Sequence, residues 1–65
     1  MKPHEQRVVE EKKELDIKLD KLTEFMKGDI YSTVSAYERS RLYRQYSIMR
    51  EYSAVLAERI VHFSK

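Results

Sequence analysis

The sequence predicts an all-α protein, an antiparallel two-helix hairpin that oligomerises into a helical bundle. Three observations point there. Glycine and proline occur once each in 65 residues, too rarely for sheet or linker-rich folds, whose turns demand them. Apolar residues recur in two runs at the 4–3 spacing of a helical seam. Charged residues make up 37% of the chain with both signs interleaved, the pattern of long solvated helices rather than of a disordered tail.

The first helix is expected over residues 4–27. Pro3 stands where a first turn tolerates a missing amide. Val8, Leu15, Leu19, Leu22 and Met26 form its seam, with Lys12 the one polar member. Glu14 and Lys18 are an i,i+4 pair in the favourable orientation. Lys27 and Gly28 supply a basic last turn and a C′ glycine. Residues 28–35 read as the connection, with Tyr31 and Val34 tucked against the hairpin end. Ser35 and Glu38 have the spacing of a capping box. The second helix is expected over 36–63, with a seam of Leu42, Tyr46, Met49, Ser53, Leu56, Ile60 and Phe63.

Laid antiparallel, the seams match Leu22 with Leu42, Leu15 with Met49 and Val8 with Leu56. The same register sets Lys12 against Ser53, so the two polar breaks share one layer. A buried polar layer is a known device for fixing register. One domain, residues 1–65, accounts for the whole chain.

A chain below roughly 70–80 residues needs a staple beyond its own core. Cysteine is absent, which removes disulfides and thiolate metal sites. His4 and His62 read as frayed terminal residues rather than a metal or acid–base pair. No metal and no cofactor is expected, and the remaining staple is the chain itself, as a homodimer or a higher even-numbered oligomer. The second helix carries the surplus surface for this: Tyr37, Ile48, Tyr52 and Val55 form a second apolar band, bordered by Arg41, Arg44 and Arg59. Tyrosine and arginine are enriched at interfaces.

A different stripe of that helix offers chemistry. Arg39, Tyr43, Tyr46 and Arg50 follow one another at i, i+4, i+7 and i+11, with Arg44 beside them. Aromatic faces stack on bases, and guanidinium forks bind phosphate. These five residues are the candidate site for a nucleotide-type ligand. The competing reading is packing: Tyr46 in the core, Tyr43 over a subunit seam, and the arginines paired with glutamates. Lys12 with Ser53 reads as a snorkelling lysine beside a small residue rather than an anion site.

Several classes are excluded or demoted. No nucleophile elbow, phosphate-cradling glycine loop, zinc spacing or histidine–carboxylate set is present, so no catalytic residue and no enzyme is expected. The acids from Glu10 to Glu24 alternate with lysines and read as a solvated face. The net charge of +2 is small and Glu38, Glu51 and Glu58 interrupt the arginines, so nucleic acid is at most a weak partner. No apolar run spans a bilayer and no signal-peptide core follows Met1. A cytoplasmic protein is expected.

The run from Gln6 to Asp16, then Leu19, Asp20, Lys21 and Leu22, then Glu38, Arg39, Gln45, Met49, Glu51, Tyr52, Ser53, Leu56, Glu58, Arg59 and Ile60 carries a resemblance over nearly the whole chain. It resembles the small accessory proteins carried by tailed bacteriophages and prophages. The resemblance implies a phage protein acting in the bacterial cytoplasm against host defences. Some such proteins are oligomeric helical sponges for nucleotide-derived immune signals, and others block a host defence protein directly. A purely structural or adaptor bundle is the alternative.

Overall fold

The first amides of a helix need acceptors from outside it, and Lys2 and Glu5 settle that need for α1, which spans Pro3–Lys27. In the computed structural model the Lys2 carbonyl accepts from the Glu5 and Gln6 amides, both at 3.0 Å. The Glu5 carboxylate accepts from the Lys2 amide at 2.9 Å, which sets a negative charge at the positive end of the helix dipole. Pro3 is the first helical residue, one earlier than the periodicity predicts, because its missing amide is not needed there. The structure describes residues 1–64; Lys65, the last residue of the predicted domain, lies outside them.

Gly28 ends α1, but not as a left-handed C′ glycine. Its backbone is extended, φ −85° and ψ 170°, and its amide donates to the Phe25 carbonyl at 3.1 Å. An L-residue adopts this conformation freely. A Cβ added here would lie 3.5 Å from the Phe25 carbonyl oxygen and 3.7 Å from that of Glu24, ordinary contact distances.

The connection contains a short helix, α2, Asp29–Thr33. The hydroxyls of Ser32 and Thr33 donate back to the Asp29 and Ile30 carbonyls at 2.8 and 2.7 Å, local bonds that favour a single turn over a longer helix. Tyr31 ties α2 to both neighbours. Its ring meets Phe25 edge-on, centroids 6.1 Å apart at 78°, and its hydroxyl donates to the Arg39 carbonyl at 3.2 Å.

The long third helix, α3, spans Ala36–Val61, and a 3₁₀ turn at His62–Ser64 follows it. The Ser35 hydroxyl accepts from the Glu38 amide at 3.2 Å, one half of the expected capping box. The Glu38 carboxylate accepts instead from Nε of Arg41 at 2.8 Å, since an i,i+3 cation is within its reach.

Every element among the described residues is helical. At about 1.5 Å per residue, α1 and α3 are rods of roughly 38 and 39 Å. The longest dimension of the molecule is 47 Å and the other two are 15 and 14 Å, so the rods lie alongside each other. All the seam residues named from the sequence are buried or half-buried. Only Val8 and Leu56 are buried among the described residues, at 7% and 0% exposure. The radius of gyration is 14.9 Å, against about 11 Å for a compact domain of this length. The accessible surface is 5296 Å², against about 4,400 Å² for a typical 7.9 kDa monomer.

Two substitutions test this arrangement by thermal unfolding followed by circular dichroism. Gly28→Ala is expected to hold or raise stability, by about 0.4–1 kcal/mol, because it narrows the unfolded ensemble at a site an alanine fits. Leu56→Ala is expected to cost about 2–5 kcal/mol and leave much of the chain unfolded; a well-folded variant would show that the seam lies elsewhere.

Candidate functional site

Two polar or aromatic clusters stand out from the helical scaffold, one between the rods and one on the flank of α3. The first joins them. Asp16 Oδ2 receives Lys12 Nζ at 2.6 Å, and Asp16 Oδ1 accepts from Ser53 Oγ, also at 2.6 Å. The bond across the rods thus joins Ser53 to Asp16, one turn beyond the Lys12 that its seam position predicts, and Lys12 meets Ser53 only through that carboxylate. This corrects the reading of Asp16 as part of a solvated face: it is half-buried. It sits one turn beyond Lys12 and one residue past the seam, close enough for its short carboxylate to reach the partner helix. The ammonium of Lys12 and the Ser53 hydroxyl both bond the charged form, and they hold the Asp16 carboxyl below its ordinary value against a smaller opposing effect of desolvation.

The second cluster lies on α3. The Tyr43 and Tyr46 rings are 6.1 Å apart, centroid to centroid, and inclined at 42°. The Arg50 guanidinium sits 5.7 Å from the centre of the Tyr46 ring, a cation–π contact worth about 0.5–1 kcal/mol where exposed. Tyr46 is half-buried, as a seam residue should be, whereas Tyr43 is 59% exposed. Arg39 is half-buried at the α2 end, where its carbonyl holds the Tyr31 hydroxyl. Tyr43, Tyr46 and Arg50 thus form one patch, with Arg39 a turn away.

Arg44 does not join that patch. It lines a shallow groove with Arg41, Gln45, Ile48 and Met49 on the other flank of α3. That flank carries the residues predicted as an interface. Tyr37, Ile48, Tyr52 and Val55 are 81%, 64%, 43% and 47% exposed, and Arg41, Arg44 and Arg59 are exposed beside them. Among the described residues the ion pairs are Lys12–Asp16 and Glu38–Arg41. Of the arginines on α3, then, only Arg41 has an acidic partner within the described chain.

His4 and His62 are both exposed. Among the described residues no group of three or more His, Asp or Glu side chains is placed to hold a metal ion. No helix among them is long and apolar enough to cross a membrane.

Fold and surface together define a small all-helical protein whose aromatic and basic residues stand on the outside of one long helix. The chain belongs to the Sequestin family, whose model matches residues 2–62. It is also similar to a protein of Enterobacteria phage T4, described as an uncharacterised 7.5 kDa protein in the denB–rIIB intergenic region. The two are 35% identical over 63 residues, covering 97% of this chain and 98% of the T4 protein. The family is thus one of small phage accessory proteins. No solved structure matches the chain.

The Asp16 layer makes stability depend on acid. Because the folded-state pKa is lowered, its contribution is complete above the ordinary aspartate range and is lost as pH falls through the lowered value. Chemical denaturation across a pH series should show wild type more stable than Asp16→Asn at neutral pH, with the gap closing in strong acid. A gap independent of pH would remove the carboxylate from the account.

Proposed function

We propose that this protein is a sequestering protein, not an enzyme. It holds a nucleotide-type molecule against Tyr43, Tyr46 and Arg50, and its helical hairpins self-associate. The observation that carries this reading is the patch itself: an exposed tyrosine face 6.1 Å from a second ring, capped by a guanidinium. A base stacks on such a face, with about 1–3 kcal/mol per base at aromatic platforms. A phosphate suits the fork of Arg50, and Arg39 adds positive charge one turn from Tyr43, at the other end of the patch. The family name fits sequestration, and the phage relative fits action inside an infected bacterial cell.

Self-association follows from what one copy lacks: a chain this small rarely sustains its fold on one narrow core, and Tyr37, Ile48, Tyr52 and Val55 are left exposed on a single copy. Blocking of a host defence protein is the alternative binding role, favoured by the exposed Arg41–Arg44–Ile48 groove.

The test is thermal unfolding with a panel of cyclic dinucleotides, ADP-ribose and cyclic ADP-ribose derivatives. A ligand at a hundredfold its Kd adds about 2.7 kcal/mol, or roughly 10–20 °C at the usual 4–8 °C per kcal/mol for small domains. Tyr43→Ala and Arg50→Ala should each cut the shift, measured against each variant's own ligand-free melting temperature. If no member of the panel raises the melting temperature, nucleotide sequestration is wrong. If Arg44→Glu abolishes capture of a host protein and nucleotides leave that capture unchanged, the blocking role replaces it.

A further inference from the structure

The flank of α3 away from Tyr43 has a pattern that selects its own partner. Tyr37, Arg41, Arg44, Ile48, Tyr52, Val55 and Arg59 follow one another at steps of four and three, a single stripe roughly 33 Å long at 1.5 Å per residue. All of them are exposed. From the sequence and these positions we infer that a second copy of this chain covers the stripe, its α3 running antiparallel about a two-fold axis through Ile48. The inference rests on the self-association proposed above and adds its surface, direction and register.

The stripe is self-complementary. With Ile48 on the axis, Tyr52 meets the partner's Arg44, Val55 meets the partner's Arg41 and Arg59 meets the partner's Tyr37. Each arginine faces an aromatic ring or an aliphatic side chain, and none faces another arginine. Guanidinium on tyrosine is a favourable contact that strengthens as it is desolvated, and the arginine stem covers valine. The acids flanking the stripe fall where they are needed. Glu51, one heptad beyond Arg44 and so on the same edge, comes beside the partner's Arg44. Glu38 shares an edge with Gln45, Tyr52 and Arg59, and comes beside the partner's Arg59.

Two other arrangements lose this. A parallel pair sets Arg41, Arg44 and Arg59 each against itself. An antiparallel pair slid by one turn, with Ile48 on the partner's Tyr52, sets Arg41 against the partner's Arg59. Like charges in contact oppose association. A two-fold interface must be self-complementary in this way, and the surface excess of the single chain over a typical monomer is the area such a contact would remove.

The absence of cysteine from the chain makes the test clean. A disulfide needs Cβ atoms roughly 3.5–4.5 Å apart, so only a residue on the axis links readily to itself. Ile48→Cys should form a covalent dimer under mild oxidation. Arg44→Cys and Tyr52→Cys should cross-link with each other when mixed, far more than either does alone. Tyr43→Cys, on the opposite flank, should stay unlinked. A wild-type chain that sediments as a monomer at high micromolar concentration would overturn self-association altogether. A wild-type dimer in which Tyr43→Cys links, and Ile48→Cys and the mixed pair do not, would overturn this register while leaving self-association standing. Neither outcome depends on whether nucleotides bind.

Discussion

Two amphipathic rods can hide only one stripe each, and this limit governs the molecule. Leu56 is the one fully enclosed side chain among the described residues and Val8 comes next. The other seam residues, from Leu15 and Leu19 on α1 to Met49 and Ile60 on α3, are half-buried. Their partial burial is the geometric consequence of packing two cylinders along a line: each side chain touches the opposite helix and still meets water at its edges. A core this narrow gives a small domain little reserve. The local devices at helix ends therefore carry weight out of proportion to their size. The Lys2–Glu5 exchange and the Ser35 cap both satisfy amides that a thin core cannot shelter.

The polar contacts divide the labour of specifying the arrangement. Leucines and methionines on facing stripes permit sliding by a turn with modest loss, whereas a carboxylate bonded to a hydroxyl across the gap does not. Asp16 with Ser53 and Lys12 supplies that constraint near the middle of the rods. Tyr31 supplies it at the α2 end, where one ring touches Phe25 and one hydroxyl holds the α3 backbone. Fixing a register at two points holds the flanks of α3 in constant relation to α1. A binding surface on a small helical protein needs that constancy.

Those flanks differ in chemistry. One presents Tyr43 and Arg50 gathered around Tyr46. The other presents a longer stripe in which arginines alternate with tyrosines and aliphatic residues. If both proposals hold, this phage protein of the Sequestin family uses one face of α3 for its guest and the other for its copy.

The sequence by itself determined the helices and the seams. Periodicity is a local property, and each seam residue from Val8 to Phe63 ends up at least half-buried because the 4–3 spacing leaves it no other face. It also singled out Lys12 and Ser53, which both bond Asp16. What needed the tertiary structure was anything decided by reach across space. Asp16 reads locally as one more solvated acid, and only the approach of α3 makes its carboxylate the link between the rods. Gly28 reads as a left-handed stop, yet the one-turn α2 that follows lets the chain pass it in an extended conformation. The five-residue candidate site divides for the same reason. A helix turns by about 100° per residue, so Arg44, one position after Tyr43 in the chain, faces a different side of α3. Proximity in sequence grouped them, and rotation about the helix axis parts them.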